Sequence, residues 1–437
     1  MKGSAREAAV RLVEACRREV AGRLQEVDEL ALANQRRVLE AMWAERVSAS
    51  DLQGSTGYGY GDEGRDKLER VYARVFGAEA ALVRPQVVSG THALRLGLFG
   101  VLRPGDHLVF ATGAPYDTLE AVVGLRPASG SLAEWGVSHT VVPLADDGRV
   151  DLDRVRAALT PRTRVVFFQR SRGYSDRRAL SVTELEVIFR ALRAERDGLV
   201  LMVDNCYGEF VEDREPTHAG ADLVMGSLIK NPGAGIAPTG GYVAGRAEWV
   251  ARAADQLTAP GLGAEAGPSL GVLRLFYQGL FLAPHTVAQA LKGSILAARV
   301  LECLGLDVSP RWNEPRADLI LAARFEDPGR LLAFCQAVQG AAPVDAFARL
   351  EAAPMAGYED RVVMAAGTFI QGGSLELSAD APMRPPYIGY LQGGLTLEHV
   401  VIALEQIASA YLESTRCASR TAATTPEPEP ADASGKR

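Results

Sequence analysis

Four short stretches hold side chains whose types and spacing suit shared chemistry. In Gly226-Ser227-Leu228-Ile229-Lys230-Asn231-Pro232-Gly233 a lysine follows an apolar run, with no carboxylate within seven positions on either side. Burial disfavours the charged ammonium, and the resulting amine is a good nucleophile toward carbonyls, forming a Schiff base. Lysine is also scarce: Lys2, Lys67, Lys230, Lys292 and Lys436 are the only five among 47 basic residues. Twenty-six positions earlier, the apolar run Leu199–Val203 ends in Asp204. An aspartate at the carboxyl end of a strand faces the crevice where open α/β sheets bind ligands. That spacing is one strand, one connection and one strand, so both residues could share a rim of the sheet. Asp204 could then hold a pyridine nitrogen protonated while Lys230 holds an aldehyde carbon. Pyridoxal 5'-phosphate (PLP) needs that arrangement to act as an electron sink.

Val87-Val88-Ser89-Gly90-Thr91-His92-Ala93 reads as a strand running into a helix through small hydroxyl residues. Backbone N–H groups at a helix start bind phosphate, and the hydroxyl of Ser227 could reach the same group. Tyr116, in Ala114-Pro115-Tyr116-Asp117, follows another apolar run. Its ring could stack on a flat cofactor and its hydroxyl could move a proton. Each stretch also has a plain structural alternative: a loop lysine with its head in water, a turn-capping aspartate, an ordinary helix N-cap, a surface tyrosine.

The surrounding pattern supplies elements to position these groups. Residues 5 to about 46 carry apolar positions at helical spacing and read as one or two helices, with Gly22 their only glycine or proline. A glycine cluster, Gly54 to Gly64, precedes a helical pattern from Arg65 to Phe76. Short apolar runs then read as buried strands: His107–Thr112, Thr140–Leu144, Arg164–Gln169, Leu199–Asp204, Leu223–Ser227 and Gly241–Ala244. Between them the clearest helix is Ser181 to Glu195, opened by a capping box of Ser181 with Glu184. Strands alternating with helices imply an α/β class with a mostly parallel sheet covered on both faces. A long helix over Leu270 to Leu304 leads to a smaller α+β region. It comprises Ala317–Ala323, a helix from Pro328 to Val338, the hairpin-like pair Val362–Ala366 and Ser374–Ser378, and a helix from Thr396 to Glu413. The expected organisation is an N-terminal helical segment (1–46), a large α/β domain (47–295), a small α+β domain (296–415) and a disordered tail (416–437) without apolar period.

Composition narrows the function classes. The 437 residues are 47% hydrophobic and 23% charged, with formal net charge −7, which disfavours a nucleic-acid partner. No apolar stretch is long enough to span a membrane, and the start carries no compact apolar signal segment. Five scattered cysteines form no CxxC, so a reducing cytoplasm is expected. Gly59-Tyr60-Gly61-Asp62-Glu63-Gly64 matches a dinucleotide fingerprint in letters only. No strand leads into it, and its two acids would repel a pyrophosphate. The six histidines are dispersed and no HExxH occurs, so no metal site is expected. Cys206 beside Asp204 reads as a small buried apolar residue rather than a nucleophile.

The serine-glycine-threonine turn, the rim tyrosine, the strand-end aspartate and the lysine occur in the chain order of PLP enzymes of fold type I, the aspartate-aminotransferase fold. Within it the chain resembles the cystathionine and methionine lyase superfamily, and most closely its methionine gamma-lyase-like, aluminium-resistance branch. The segments that carry the resemblance are GYGYGDEGRDKLERVYARVFGAEAALVRPQVVSGTHAL, DNCYGEF, GSLIKNPGAGIAPTGGYVAG and MAAGTFIQGGSLELSADAPMRPPY. The resemblance as a whole extends over roughly residues 30 to 415.

The resemblance implies that Lys230 attaches the cofactor and shuttles protons, Asp204 pairs with the ring nitrogen, and Tyr116 stacks on the ring and protonates the departing sulfur. Ser89, Gly90, Thr91 and Ser227 would hold the phosphate. Tyr58 or Tyr60 would reach a neighbouring subunit's phosphate, in a homotetramer built as a dimer of dimers. Arg384, with Arg172 in reserve, would clamp the substrate carboxylate. Better-known lyases carry a tyrosine and an arginine two apart where this chain has Tyr58-Gly59-Tyr60, and a threonine where it has Ile229, so the phosphate grip differs. The implied activity is PLP-dependent carbon–sulfur bond cleavage in a sulfur-containing amino acid, by β- or γ-elimination, yielding thiol, ammonia and a 2-oxo acid. A PLP transaminase or a γ-replacement synthase would use the same residues, and a PLP-fold binding protein would keep the cofactor without turnover.

Overall fold

A computed structural model of the chain describes residues 2–422. Seven strands form the main sheet: β1 (Ala80–Arg84), β2 (His107–Phe110), β3 (Ser138–Val141), β4 (Thr163–Gln169), β5 (Val200–Asp204), β6 (Leu223–Ser227) and β7 (Gly241–Gly245). Their order is β1-β7-β6-β5-β4-β2-β3, with β6, β5, β4, β2 and β3 mutually parallel and β7 antiparallel to both β1 and β6. Side-chain alternation sends neighbouring residues of β4 and β5 to opposite faces. Val166, Phe168, Leu201 and Val203 pack in one core with Leu185 and Phe189 of the helix Val182–Glu195. Val165, Phe167, Val200 and Met202 pack in the other with Leu94 and Phe99 of the helix Gly90–Val101. Each such residue contributes about 1.5–3 kcal/mol through burial. The fold is the expected α/β arrangement, a mostly parallel sheet with helices on both faces.

A second sheet of order β10-β11-β12-β9-β8 is antiparallel throughout. Its strands are β8 (Asp307–Ser309), β9 (Leu321–Arg324), β10 (Val362–Ala365), β11 (Ser378–Pro382) and β12 (Ile388–Gln392). With the helix Pro328–Gly340 it makes the smaller α+β region. The helix Leu273–Cys303 links the two sheets. The N-terminal segment is two helices, Lys2–Glu19 and Ala21–Ala44. The first packs on the C-terminal helix Leu397–Ala422 and the second on Leu273–Cys303. Among the described residues no helix is long and apolar enough to cross a membrane.

Three local expectations are corrected. The strand before the phosphate-type turn is Ala80–Arg84, not Val87–Val88, because the Val87 N–H turns back to donate to the Arg84 carbonyl (3.3 Å). The segment Ser374–Ser378 is mostly a turn, since the Glu376 carboxylate accepts from the backbone N–H groups of Phe369 (2.8 Å) and Ile370 (2.9 Å); the strand starts at Ser378. The C-terminal helix continues to Ala422, into the expected tail 416–437, whose remainder, 423–437, lies outside the described residues. The capping box at Ser181 and Glu184 forms as read.

Candidate active site

The carboxyl ends of β4, β5 and β6 and the inner wall of the second sheet enclose a cavity of about 250 Å3. Asp204, the last residue of β5, and Lys230, three residues beyond β6, both line it. Asp204 Oδ1 accepts from the Cys206 N–H (3.1 Å). Burial raises its pKa, against the pull of the Lys230 charge. The Lys230 ammonium sits 3.8 Å from the centre of the Tyr207 ring. Tyr207 holds φ +69°, a left-handed backbone that costs a β-carbon-bearing residue about 1–3 kcal/mol and clusters at functional sites. Burial by itself pulls the Lys230 ammonium down. Tyr207, Cys206 and Asp204 outweigh it, and the pKa lies above the ordinary lysine value. That reverses the expectation of a depressed amine, which considered desolvation without these neighbours.

Ser89, Gly90, Thr91 and Ser227 come together at one end of the cavity. Ser89 caps the helix Gly90–Val101, accepting from the His92 N–H (3.0 Å), and the Thr91 hydroxyl pairs with that of Thr118 (2.6 Å). The Ser227 hydroxyl is buried and has no hydrogen-bond partner. A β-carbon on Gly90 would lie 3.0 Å from Cys206 Sγ and 3.6 Å from Ser227 Cβ, so glycine keeps this end open. An orphaned hydroxyl beside a helix N-terminus suits a phosphate, and a strand-end carboxylate suits a protonated ring nitrogen. The residues present therefore fit PLP.

Tyr116 lies in the same cavity, its ring edge-on to Tyr174 (5.5 Å) and Tyr358 (5.9 Å), and its hydroxyl bonds that of Tyr358. Burial, reinforced by Tyr358 and Tyr207, holds its phenol well above the ordinary value, so it is a proton donor rather than a phenolate. Gly173 (φ +58°) leaves room for this ring, since a β-carbon there would meet Tyr116 Cδ2 at 3.1 Å.

Four expected residues lie elsewhere. The Arg384 guanidinium pairs with Asp360 (2.8 Å) and donates to the Tyr174 carbonyl (3.1 Å), outside the cavity wall. Arg172 is fully buried, donates to Ser309 Oγ (2.9 Å) and faces a different cavity. Neither arginine is placed to clamp a carboxylate in this chain's cavity, because existing acceptors hold Arg384 and a separate pocket holds Arg172. Tyr58 and Tyr60 are stacked (5.4 Å) and exposed, 74% and 59%, away from their own chain's cavity. Among the described residues Lys230 is the one cation in the wall. Sequence reading missed Tyr174, Tyr207, Tyr358 and Asp380, which also line the cavity. Only Asp380 left a signal, an acid between two alanines in an otherwise small and apolar run.

The methionine gamma-lyase family model matches residues 9–412. The protein YnbB of Bacillus subtilis is 51% identical over 388 residues, covering 88% of this chain and 92% of its own. A Listeria monocytogenes structure, described as a candidate cystathionine beta-lyase involved in aluminium resistance, shares 48% identity and a TM-score of 0.90 over 92% of this chain and 99% of its own. A carbon–sulfur lyase involved in aluminium resistance from Clostridium novyi shares 45% identity and a TM-score of 0.89, covering 92% and 96%. With the family model matched over residues 9–412 and relatives of about half identity over most of its length, the chain belongs to the methionine gamma-lyase family.

Proposed function

We infer that the protein is a PLP-dependent carbon–sulfur lyase that cleaves a sulfur-containing amino acid to a thiol, ammonia and a 2-oxo acid. The observation that carries this is the meeting of Asp204, Lys230 and the unpartnered Ser227 hydroxyl in one buried cavity. When bound, PLP supplies an electron sink for the charge released at the substrate Cα.

The chain's own groups divide the remaining work. Lys230 would hold the cofactor's aldehyde carbon, and its amine would serve as the base for the Cα proton. Its Nζ would have to lose a proton first, against the hold of Tyr207, Cys206 and Asp204. Asp204, buried at the strand end, keeps that ring nitrogen protonated. Ser89, Gly90, Thr91 and Ser227 anchor the phosphate at the helix N-terminus. Tyr116, which lines the cavity, would hold the ring by stacking, and its protonated hydroxyl would serve the departing sulfur. Electrostatic stabilisation of the Cα charge is the largest contribution to rate.

The same reading treats residues 47–295 as the cofactor-binding domain and 296–415 as the smaller one, in a cytoplasmic homo-oligomer, a dimer of dimers. The exposed pair Tyr58 and Tyr60 then serves a neighbouring subunit's phosphate, which their distance from their own cavity supports. Incubating the loaded protein with cysteine, cystathionine, methionine and homocysteine tests the reaction. A lyase releases thiol, ammonia and 2-oxo acid from at least one. Inertness toward all four, or amino transfer without thiol release, overturns it.

A further inference from the structure

A second cavity, about 570 Å3, lies where the loop after β4 meets the segment that joins β8 to β9. Two arginines reach it. Arg172 is 1% exposed; its Nη2 donates to Ser309 Oγ (2.9 Å), while its Nε and Nη1 are buried with no hydrogen-bond partner. Arg316 is half-buried; its Nη2 donates to the Arg311 carbonyl (3.4 Å), and its Nε and Nη1 are likewise buried and unpartnered. A guanidinium keeps its charge and all its N–H groups at any ordinary pH, so buried donors without acceptors are costly.

The acids of the same wall do not supply the missing acceptors. Glu184 is taken by Arg178 and by the N–H and hydroxyl of Ser181 (both 3.0 Å). Glu212 accepts from Arg170 and from the Val182 N–H (2.9 Å). Glu314 Oε2 accepts from the Arg311 N–H (2.7 Å), and Asp318 accepts from the N–H groups of Arg172 (3.0 Å) and Ile320 (3.1 Å). Burial lowers the pKa of both guanidiniums, Arg316 to about 9, and the Asp318 charge is the strongest opposing influence on each. The weaker charges, Asp176 and Glu314, are exposed, and Asp176 pairs with Arg324. One buried carboxylate set against two guanidiniums leaves one positive charge uncompensated, which suits a monoanion. Ala179, Pro310, Pro315 and Ala317 also line the space, so it offers apolar surface to a short carbon chain.

We propose that this cavity binds a small organic monocarboxylate, its oxygens accepting from Arg172 and Arg316 and its carbon chain lying against the proline and alanine side chains. A carboxylate places two acceptors in the plane that a guanidinium presents, and such charge-assisted bonds are about twice as strong as neutral ones. The site is separate from the active cavity. Arg172 nevertheless lies between Ser171 and Gly173, which both line that cavity, so one backbone segment serves the two. Nothing in this site depends on PLP or on the lyase reading.

Calorimetry on the full-length protein compares butanoate with 1-butanol and inorganic phosphate, in wild type, Arg316→Gln, Arg316→Lys and Lys230→Ala. Wild type should bind butanoate about tenfold or more tightly than either comparison ligand. Arg316→Gln should weaken butanoate by about 10–100-fold, the loss expected for hydrogen bonds to a charged group. Arg316→Lys, which keeps the charge but not the planar donors, should recover part of it. Lys230→Ala removes the cation of the active cavity and should leave butanoate binding within about threefold, since the two sites are separate. Saturating butanoate should raise the melting temperature of wild type and not that of Arg316→Gln. No butanoate binding by wild type, tighter binding of phosphate, undiminished binding by Arg316→Gln, or loss of binding in a folded Lys230→Ala overturns the proposal.

Discussion

Asp204 and Lys230 approach one cavity from adjacent parallel strands, Asp204 at the last position of β5, in register with Met225 of β6, and Lys230 in the loop that leaves β6. Four residues thus separate Met225 from Lys230, enough for the chain to leave the strand through Ser227 and turn the lysine back over Tyr207. The acid and the amine share a rim but are not a simple ion pair.

Lys230→Ala should abolish turnover and covalent attachment of PLP. Borohydride treatment followed by peptide mass measurement reads the attachment directly. Wild type should gain the cofactor's mass on the peptide containing residue 230, and the variant should not. A colourless wild type without added mass would remove the cofactor assignment.

Asp204→Asn should retain PLP but lower turnover by about a hundredfold or more, because a neutral amide no longer keeps the ring nitrogen protonated. The cofactor absorbance and the rate, measured on the same preparation, separate binding from chemistry. Full activity in this variant contradicts the electron-sink role.

Ser227→Ala separates a ligand contact from a structural one. The Ser227 hydroxyl has no partner within the chain, so removing it should leave the unliganded melting temperature within about 2 °C of wild type. PLP affinity should fall about tenfold or more through loss of a charge-assisted hydrogen bond. An unchanged dissociation constant would place the phosphate elsewhere.

Tyr116→Phe keeps the ring and loses the proton. The hydroxyl paired with Tyr358 is held protonated by burial, so activity should drop about a hundredfold while PLP binding persists. Tyr358→Phe should have the smaller effect, since Tyr116 keeps its own hydroxyl.

Glu209 supplies a pH signature from beneath the site. Its Oε1 accepts from the Tyr242 hydroxyl (2.8 Å), and burial raises its pKa from 4.5 to about 8. Between those values the folded chain holds a proton that the unfolded chain has released, so stability falls as pH rises through that window. Glu209→Gln should remove this slope and raise the melting temperature at pH 9 by on the order of 2–4 °C. A wild-type melting temperature flat from pH 5 to 9 would contradict it.

Much of this protein is local and therefore legible in its sequence. Apolar runs of strand length, the Ser181 capping box, and a lysine and an aspartate just beyond two such runs depend on neighbours a few positions away. The parallel sheet follows from them, because strands separated by helices cannot pair in any other simple way. The rest depended on partners far along the chain. Desolvation alone argues for a lowered Lys230 pKa, but the fold brings Tyr207, Cys206 and Asp204 around the ammonium and reverses the direction. The resemblance implies Arg384 as a carboxylate clamp, but folding gives it Asp360 and the Tyr174 carbonyl as partners. Asp380 becomes a cavity residue only when β11 takes its place between β10 and β12, 176 positions beyond Asp204. Charge and hydrogen bonding act through space over a few ångströms, and only the tertiary structure decides which groups come that close.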